Sequence, residues 1–182
     1  MRLFTGISLP HEAESRMMSL IGELRPHASL AWTPKDKIHI TTKFIGEWPE
    51  VRLGELQQAL AQIRAPSPIE ISIRGISWLP NLRNPTILYA GVDPTPALTA
   101  LASATDVALM PLGIAKEDRP FRPHVTLGRV RDRRGTNLTP LRAALNPHEL
   151  DDFTHFHAPA FHLYLSDSGQ YTKLSDYPLP SA

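Results

Sequence analysis

The chain has 182 residues, 42% hydrophobic and 20% charged, an ordinary composition for one folded domain. Lys and Arg number 19 against 18 Asp and Glu, so the net charge of +1 excludes a polybasic binder that works by bulk charge. There is no cysteine, which excludes disulfides, a thiolate zinc site and a cysteine nucleophile.

The 18 prolines punctuate the chain into short elements. Arg2 to Leu9 is rich in β formers and reads as a strand closed by Pro10. From His11 to Arg25, Ala13, Met17, Leu20, Ile21 and Leu24 recur on one helical face, and Pro26 stops the run. Lys37 to Ile45 is a second strand. A helix is predicted from Pro49 to Arg64, with Leu56, Leu60 and Ile63 inward. Ile69, Ile71 and Ile73 alternate with polar residues, which gives a half-buried strand, and Thr86 to Val92 gives another. A third helix spans Thr95 to Leu112 with the stripe Leu98, Leu101, Thr105, Ala108, Leu109 and Leu112. Pro123 to Val130 is a strand. Thr139 is the expected N-cap of a short helix, with Pro140 at its first position. Phe153 to Leu165 and Gln170 to Tyr177 are expected to form a terminal hairpin. This mixture favours α+β with mostly antiparallel pairing over a doubly wound sheet. No apolar run approaches the ~20 residues of a membrane helix. The opening MRLFTGISLP reads as strand, not signal peptide, so a cytoplasmic location is expected.

One short segment recurs. His39-Ile40-Thr41-Thr42 resembles His124-Val125-Thr126-Leu127, 85 positions later and close to half the chain. Both copies lie in predicted strands downstream of a strand and a helix. Two diverged halves point to duplication and a pseudo-twofold pair of lobes. In a strand, residues i and i+2 share a face. So His39 pairs with Thr41 and His124 with Thr126, while Ile38, Ile40, Phe44, Val125 and Leu127 take the opposite, apolar face. A single histidine in a strand is ordinarily a surface or satisfied residue; two copies in matched settings are harder to explain that way. Imidazole titrates near neutrality, so one can accept a proton while the other delivers one. Threonine hydroxyls can donate to anionic oxygens. The set suits a pentacoordinate phosphorus, with no metal required.

With these motifs in place, the sequence resembles the 2H phosphoesterase superfamily, and within it the RNA 2′,3′-cyclic phosphodiesterases, or 2′-5′ RNA ligase family. The segments that carry the resemblance are RLFTGISLP, KDKIHITTKFIGEW, EDRPFRPHVTLGRVR and the closing YTKLSDYPL. The resemblance implies a single bilobal α+β domain over residues 1–182, two mostly antiparallel sheets flanked by helices, and a central cleft with one motif per lobe. It further implies opening of a 2′,3′-cyclic phosphate to a 2′-phosphomonoester, with His39 as proton donor and His124 as acceptor. The expected partner is RNA with a cyclic phosphate end, tRNA fragments among them; a monomer without cofactor is expected. Reverse 2′-5′ ligation is the same chemistry with a 5′-hydroxyl replacing water. Thr42 departs from the bulky apolar residue usual at the fourth motif position. By alternation it faces away from His39, so a packing change is expected.

Other residues compete for roles. Arg119, Arg122, Arg129, Arg131, Arg133 and Arg134 cluster around the second motif. Arg129 is a candidate phosphate ligand, although strict alternation places it opposite His124 unless Gly128 relaxes the strand. The other arginines read mainly as a solvated turn. Lys43 shares the His39 face by alternation. Phe44 is a candidate for base stacking, as are Trp48, Trp78, Phe121 and Tyr164, which read equally well as core. His148, His155, His157 and His162, with Asp151 and Asp152, offer chelate spacings, but the same pattern describes a polar strand face, and no metal is expected. Two other functions fit less of the chain: a metal-dependent phosphatase, which chelators would silence, and a noncatalytic module that retains RNA ends without turnover.

Overall fold

The computed structural model describes residues 1–132, 135–148 and 151–181. In chain order the elements are β1 (Arg2–Ser8), α1 (His11–Leu24), β2 (Ala31–Trp32), β3 (His39–Glu47), α2 (Leu53–Ala61), β4 (Glu70–Leu79), β5 (Ile87–Val92), α3 (Pro96–Leu109), β6 (His124–Arg129), α4 (Thr139–Leu145), β7 (Asp152–His157), β8 (Ala160–Asp167) and β9 (Gln170–Pro178). The α+β, antiparallel reading holds.

The predicted helical stripe of α1 is buried throughout: Ala13, Met17, Leu20, Ile21 and Leu24 all face the core. Glu12 and Glu14 in its first turn complement the helix dipole. The Thr95 hydroxyl caps α3 by accepting the Leu98 N–H at 3.3 Å, and proline follows in the first turn. Residues 50–52 form a separate 3-10 turn, so α2 is shorter than the sequence suggests. Thr139 lies within α4 and not before it; Asn137 Oδ1 accepts the Thr139 N–H at 3.0 Å in its place. The segment predicted as one strand from Phe153 to Leu165 is two, because Pro159 falls between β7 and β8. The hairpin from β8 to β9 turns at Ser168 and Gly169, both with positive φ.

The strands order as β7-β4-β5-β6-β3-β1-β8-β9, all pairs antiparallel, with β2 added on β6. The two expected sheets therefore meet edge to edge as four-stranded halves. They join at β3 and β6 through the single pair Ile40–Val125. Helices α2 and α3 pack together over the half that contains β3, with α2 also meeting β9, while α1 packs on β7 and α4 over the other half. One continuous apolar cluster, including Ile7, Ile40, Leu88 and Val125, runs under both halves. The opposite face of the sheet carries the histidines.

Candidate active site

Ile40 and Val125 are the second residues of the two repeated motifs, so their pairing sets the motifs side by side. Continued by one residue each way, that antiparallel register faces His39 with Thr126 and Thr41 with His124. The duplicated residues thus form one four-residue cluster. Each imidazole is locked in the same way. His39 Nδ1–H donates to the Lys37 carbonyl at 2.8 Å, and His124 Nδ1–H donates to the Arg122 carbonyl at 2.8 Å. Fixing the tautomer at Nδ1 leaves Nε2 of each ring as the atom that can accept or release a proton. The Thr41 hydroxyl meets His39 Nε2 at 3.0 Å and donates to it when the ring is neutral.

Burial holds both imidazoles below their ordinary range. For His39 the Lys37 carbonyl opposes this, and the charges of His124 and Arg129 add to it. For His124 the Arg122 carbonyl opposes and Arg129 adds. The charge of Arg129 thus bears on both rings.

Strict alternation would have sent Arg129 to the other face, and a β-bulge prevents this. Tyr89 pairs with Thr126 but Leu88 pairs with Gly128, so Leu127 is an extra residue in β6. On β3 the same thing happens: Gly6 pairs with Thr41 and Thr5 with Lys43, which leaves Thr42 extra. Each bulge falls at the fourth position of its motif and reverses the face of the residues that follow it, on β3 until a second shift at Ile45. Arg129 and Phe44, both five residues past their histidine, emerge on the histidine face. Phe44 is 59% exposed, and its ring lies 6.3 Å from Phe4, which in turn lies 4.9 Å from His39. The apolar-face expectation for Phe44 is therefore corrected, as is the expectation that Lys43 shares the His39 face. Lys43 is buried, ion-paired to Asp106 at 2.6 Å and donating to the Ala115 carbonyl at 2.7 Å. Thr42 does face inward, where its hydroxyl pairs with that of Thr5 at 2.8 Å. That is the packing change its departure implied.

The remaining candidates disperse. Trp48 and Trp78 are buried, and Phe121 packs against the core. Tyr164 is buried in a stack with Phe4 at 4.9 Å, its phenol pushed up to about 12 chiefly by burial. Arg119 pairs with Glu117, Arg122 and Arg131 are exposed, and Arg133 and Arg134 lie outside the described residues. His148 bonds Glu23 and Asp151, His155 and His157 are exposed on β7, and His162 bonds Ser8 and Asp176. Among the described residues no group of three His, Asp or Glu converges as a metal site. Sequence reasoning missed Phe4, Tyr89 and Tyr171. Tyr171 sits edge-on to His39 at 5.4 Å and Tyr89 edge-on to His124 at 5.3 Å. No motif marks them; they become neighbours only through strand pairing. Gly6 also belongs to the site. A Cβ there would come 2.8 Å from the Ile40 carbonyl oxygen and 3.4 Å from His39 Cδ2.

The profile of the 2′-5′ RNA ligase superfamily matches residues 9–170, and the chain belongs to that superfamily of two-histidine phosphoesterases. More particularly, it is similar to proteins named RNA 2′,3′-cyclic phosphodiesterase. The one from Methanocaldococcus jannaschii is 29% identical over 166 residues, 91% of either chain. The one from Thermus thermophilus is 30% identical over 138 residues, 71% of this chain and 68% of that protein. Among solved structures, a protein of Thermus thermophilus superposes with a TM-score of 0.77 at 25% identity, over 98% of this chain and 97% of that one. Escherichia coli LigT complexed with 3′-AMP shares the fold, with a TM-score of 0.79 at 23% identity over 99% and 98% of the two chains. Among the described residues no helix is long and apolar enough to cross a membrane.

Proposed function

We propose that this enzyme opens 2′,3′-cyclic phosphates at RNA ends to 2′-phosphomonoesters without a metal. The observation that carries the reading is the pairing of the two motif strands at Ile40–Val125, with each imidazole locked through Nδ1 and the charge of Arg129 acting on both. In this reading His124 Nε2 takes a proton from water, whose oxygen attacks phosphorus. The P–O3′ bond breaks, and His39 Nε2–H delivers its proton to the departing O3′. Thr41, Thr126 and Arg129 hold the phosphate oxygens, donors whose value grows as charge develops in the transition state. Phe44 offers its exposed ring to a base. Free of ligand, both rings favour the neutral state; an anionic phosphate between them raises both and lets one hold the proton the acid step needs. A 5′-hydroxyl in the place of water, expelling O3′ in the same way, would give a 2′-5′ linkage. The whole chain works as one monomeric unit, each half of the sheet supplying one motif.

The test is an RNA oligomer with a 2′,3′-cyclic phosphate end, incubated in chelator. The expected product gains one water in mass and carries a 2′-phosphate open to phosphatase. A 3′-phosphate product reverses the substrate's orientation. Loss of turnover in chelator with recovery on adding metal makes the enzyme a metal-dependent phosphatase. Retention of the RNA without turnover makes it a binding module.

A further inference from the structure

Beside the His39 half of the site lies a second polar array that the reaction above does not use. Ser8 is the cross-strand partner of His39, so the two side chains project from the same face about 5 Å apart at the backbone. The Ser8 hydroxyl lies 3.0 Å from His162 Nε2. His162 is 6% exposed, and its Nδ1–H donates to Asp176 Oδ1 at 2.6 Å. A carboxylate can only accept, so the proton of neutral His162 sits on Nδ1 and Nε2 must accept from Ser8. Burial favours that neutral ring. The single Ser8 proton is thereby committed inward, and its oxygen presents only lone pairs to the cleft. The Tyr164 phenol shares this serine, and an ammonium meets it as well: Lys173 Nζ donates to Ser8 Oγ at 3.3 Å.

Lys173 takes part in none of the ion pairs among the described residues. An exposed lysine normally samples many rotamers and loses that freedom on binding. Here three residues on three strands anchor it in advance. Next to it Tyr171 carries Lys37 at 5.9 Å over its ring and presents its edge to His39. Besides Lys37, held over Tyr171, the histidine face has two stations of positive charge. The charge of Arg129 bears on the paired imidazoles, and Lys173 stands beyond Ser8, on the side of His39 away from His124.

We propose that Lys173, positioned by the Asp176–His162–Ser8 relay, binds a second phosphate of the substrate, the diester on the 5′ oxygen of its terminal nucleotide. This rests on the cyclic phosphodiesterase reading and assigns, at the same site, the residue that would hold the RNA strand upstream of its cyclic end. Lys173 is a binding residue; Ser8 and His162 position it.

The experiment compares kcat/KM on a nucleoside 2′,3′-cyclic phosphate, a dinucleotide ending in the same group, and that dinucleotide with a neutral methylphosphonate linkage. Wild type is expected to favour the charged dinucleotide by about tenfold, the size of one exposed charge-assisted contact. Lys173→Met removes most of that ratio, through KM more than kcat, and adds nothing further on the neutral linkage. Ser8→Ala keeps the charge but releases its anchor and lowers the ratio in the same direction. Equal losses on all three substrates, or a ratio that survives Lys173→Met, overturn the proposal. A ratio unchanged in Ser8→Ala overturns the anchoring. A wild type that opens the nucleoside and both dinucleotides equally well sinks the second station but leaves the phosphodiesterase reading standing. A wild type that opens none of the three sinks that reading itself.

Discussion

His39 and His124 have matching anchors, each through Nδ1 to the carbonyl two residues before it, so local geometry does not tell acid from base. Leaving-group chemistry does. A sugar alkoxide needs a proton as it departs, whereas an aryl oxide of low pKa does not. His39→Ala is expected to lose about 10²-fold or more on an RNA end and less than about tenfold on an aryl phosphodiester. His124→Ala should be crippled on both, and rescue of His124→Ala instead would exchange the roles. The pH profile follows from the site. On the acid side the base must lose its proton; on the alkaline side the acid must keep one. Both rings lie below their ordinary value in the free protein. So kcat/KM should trace a bell centred below about pH 6.5, while kcat, which reports the phosphate-bound complex, peaks at higher pH. A kcat/KM optimum well above neutrality would count against this assignment.

The pair of bulges decides what each motif strand offers. Without them Lys43 would stand in the cleft and Phe44 and Arg129 would be turned toward the helices. The sequence carries the alternation of Ile69, Ile71 and Ile73 and the stripe of α1 because those patterns answer to a local period. A bulge is set by the partner strand's register, which no local window contains, so Thr42 and Leu127 read as ordinary strand residues. The fate of Arg129 was legible only as far as Gly128. Two substitutions probe this layer. Gly6→Ala forces a methyl onto the Ile40 carbonyl and the His39 ring, so both Tm and kcat/KM should fall, the latter by about tenfold or more. An active, equally stable variant would show that β1 can move away. Lys43→Met leaves Asp106 buried without its partner and should cost about 3 kcal/mol or more in denaturant unfolding. Adding Asp106→Leu should recover much of that loss, since paired apolar groups replace paired charges. No recovery would mean that Asp106 serves something besides Lys43.

Across the molecule, titration makes the fold acid-sensitive. His39, His124 and His162 all have folded values below the unfolded imidazole value, with burial the largest cause in each. The unfolded chain therefore takes up protons that the folded chain declines. Stability is expected to fall as pH drops below about 6.5. His148 works in the opposite sense. Asp151 and Glu23 raise it, so its contribution is present below about 6.5 and fades as pH rises through its folded value. Thermal scans should show Tm falling from pH 7 to pH 5, and a steeper fall in His148→Gln. A flat Tm across that interval would contradict the burial of the three rings.

The helices that join neighbouring strands cross the midline. The α1 segment, between β1 and β3, covers β7 in the other half, and α3, between β5 and β6, covers β3. Each motif strand thus sits in a sheet roofed in part by a helix from the opposite repeat. Either half of the chain, expressed alone, is therefore expected to leave its motif strand short of a covering helix, so that mixing the two halves restores a folded sheet that neither forms by itself.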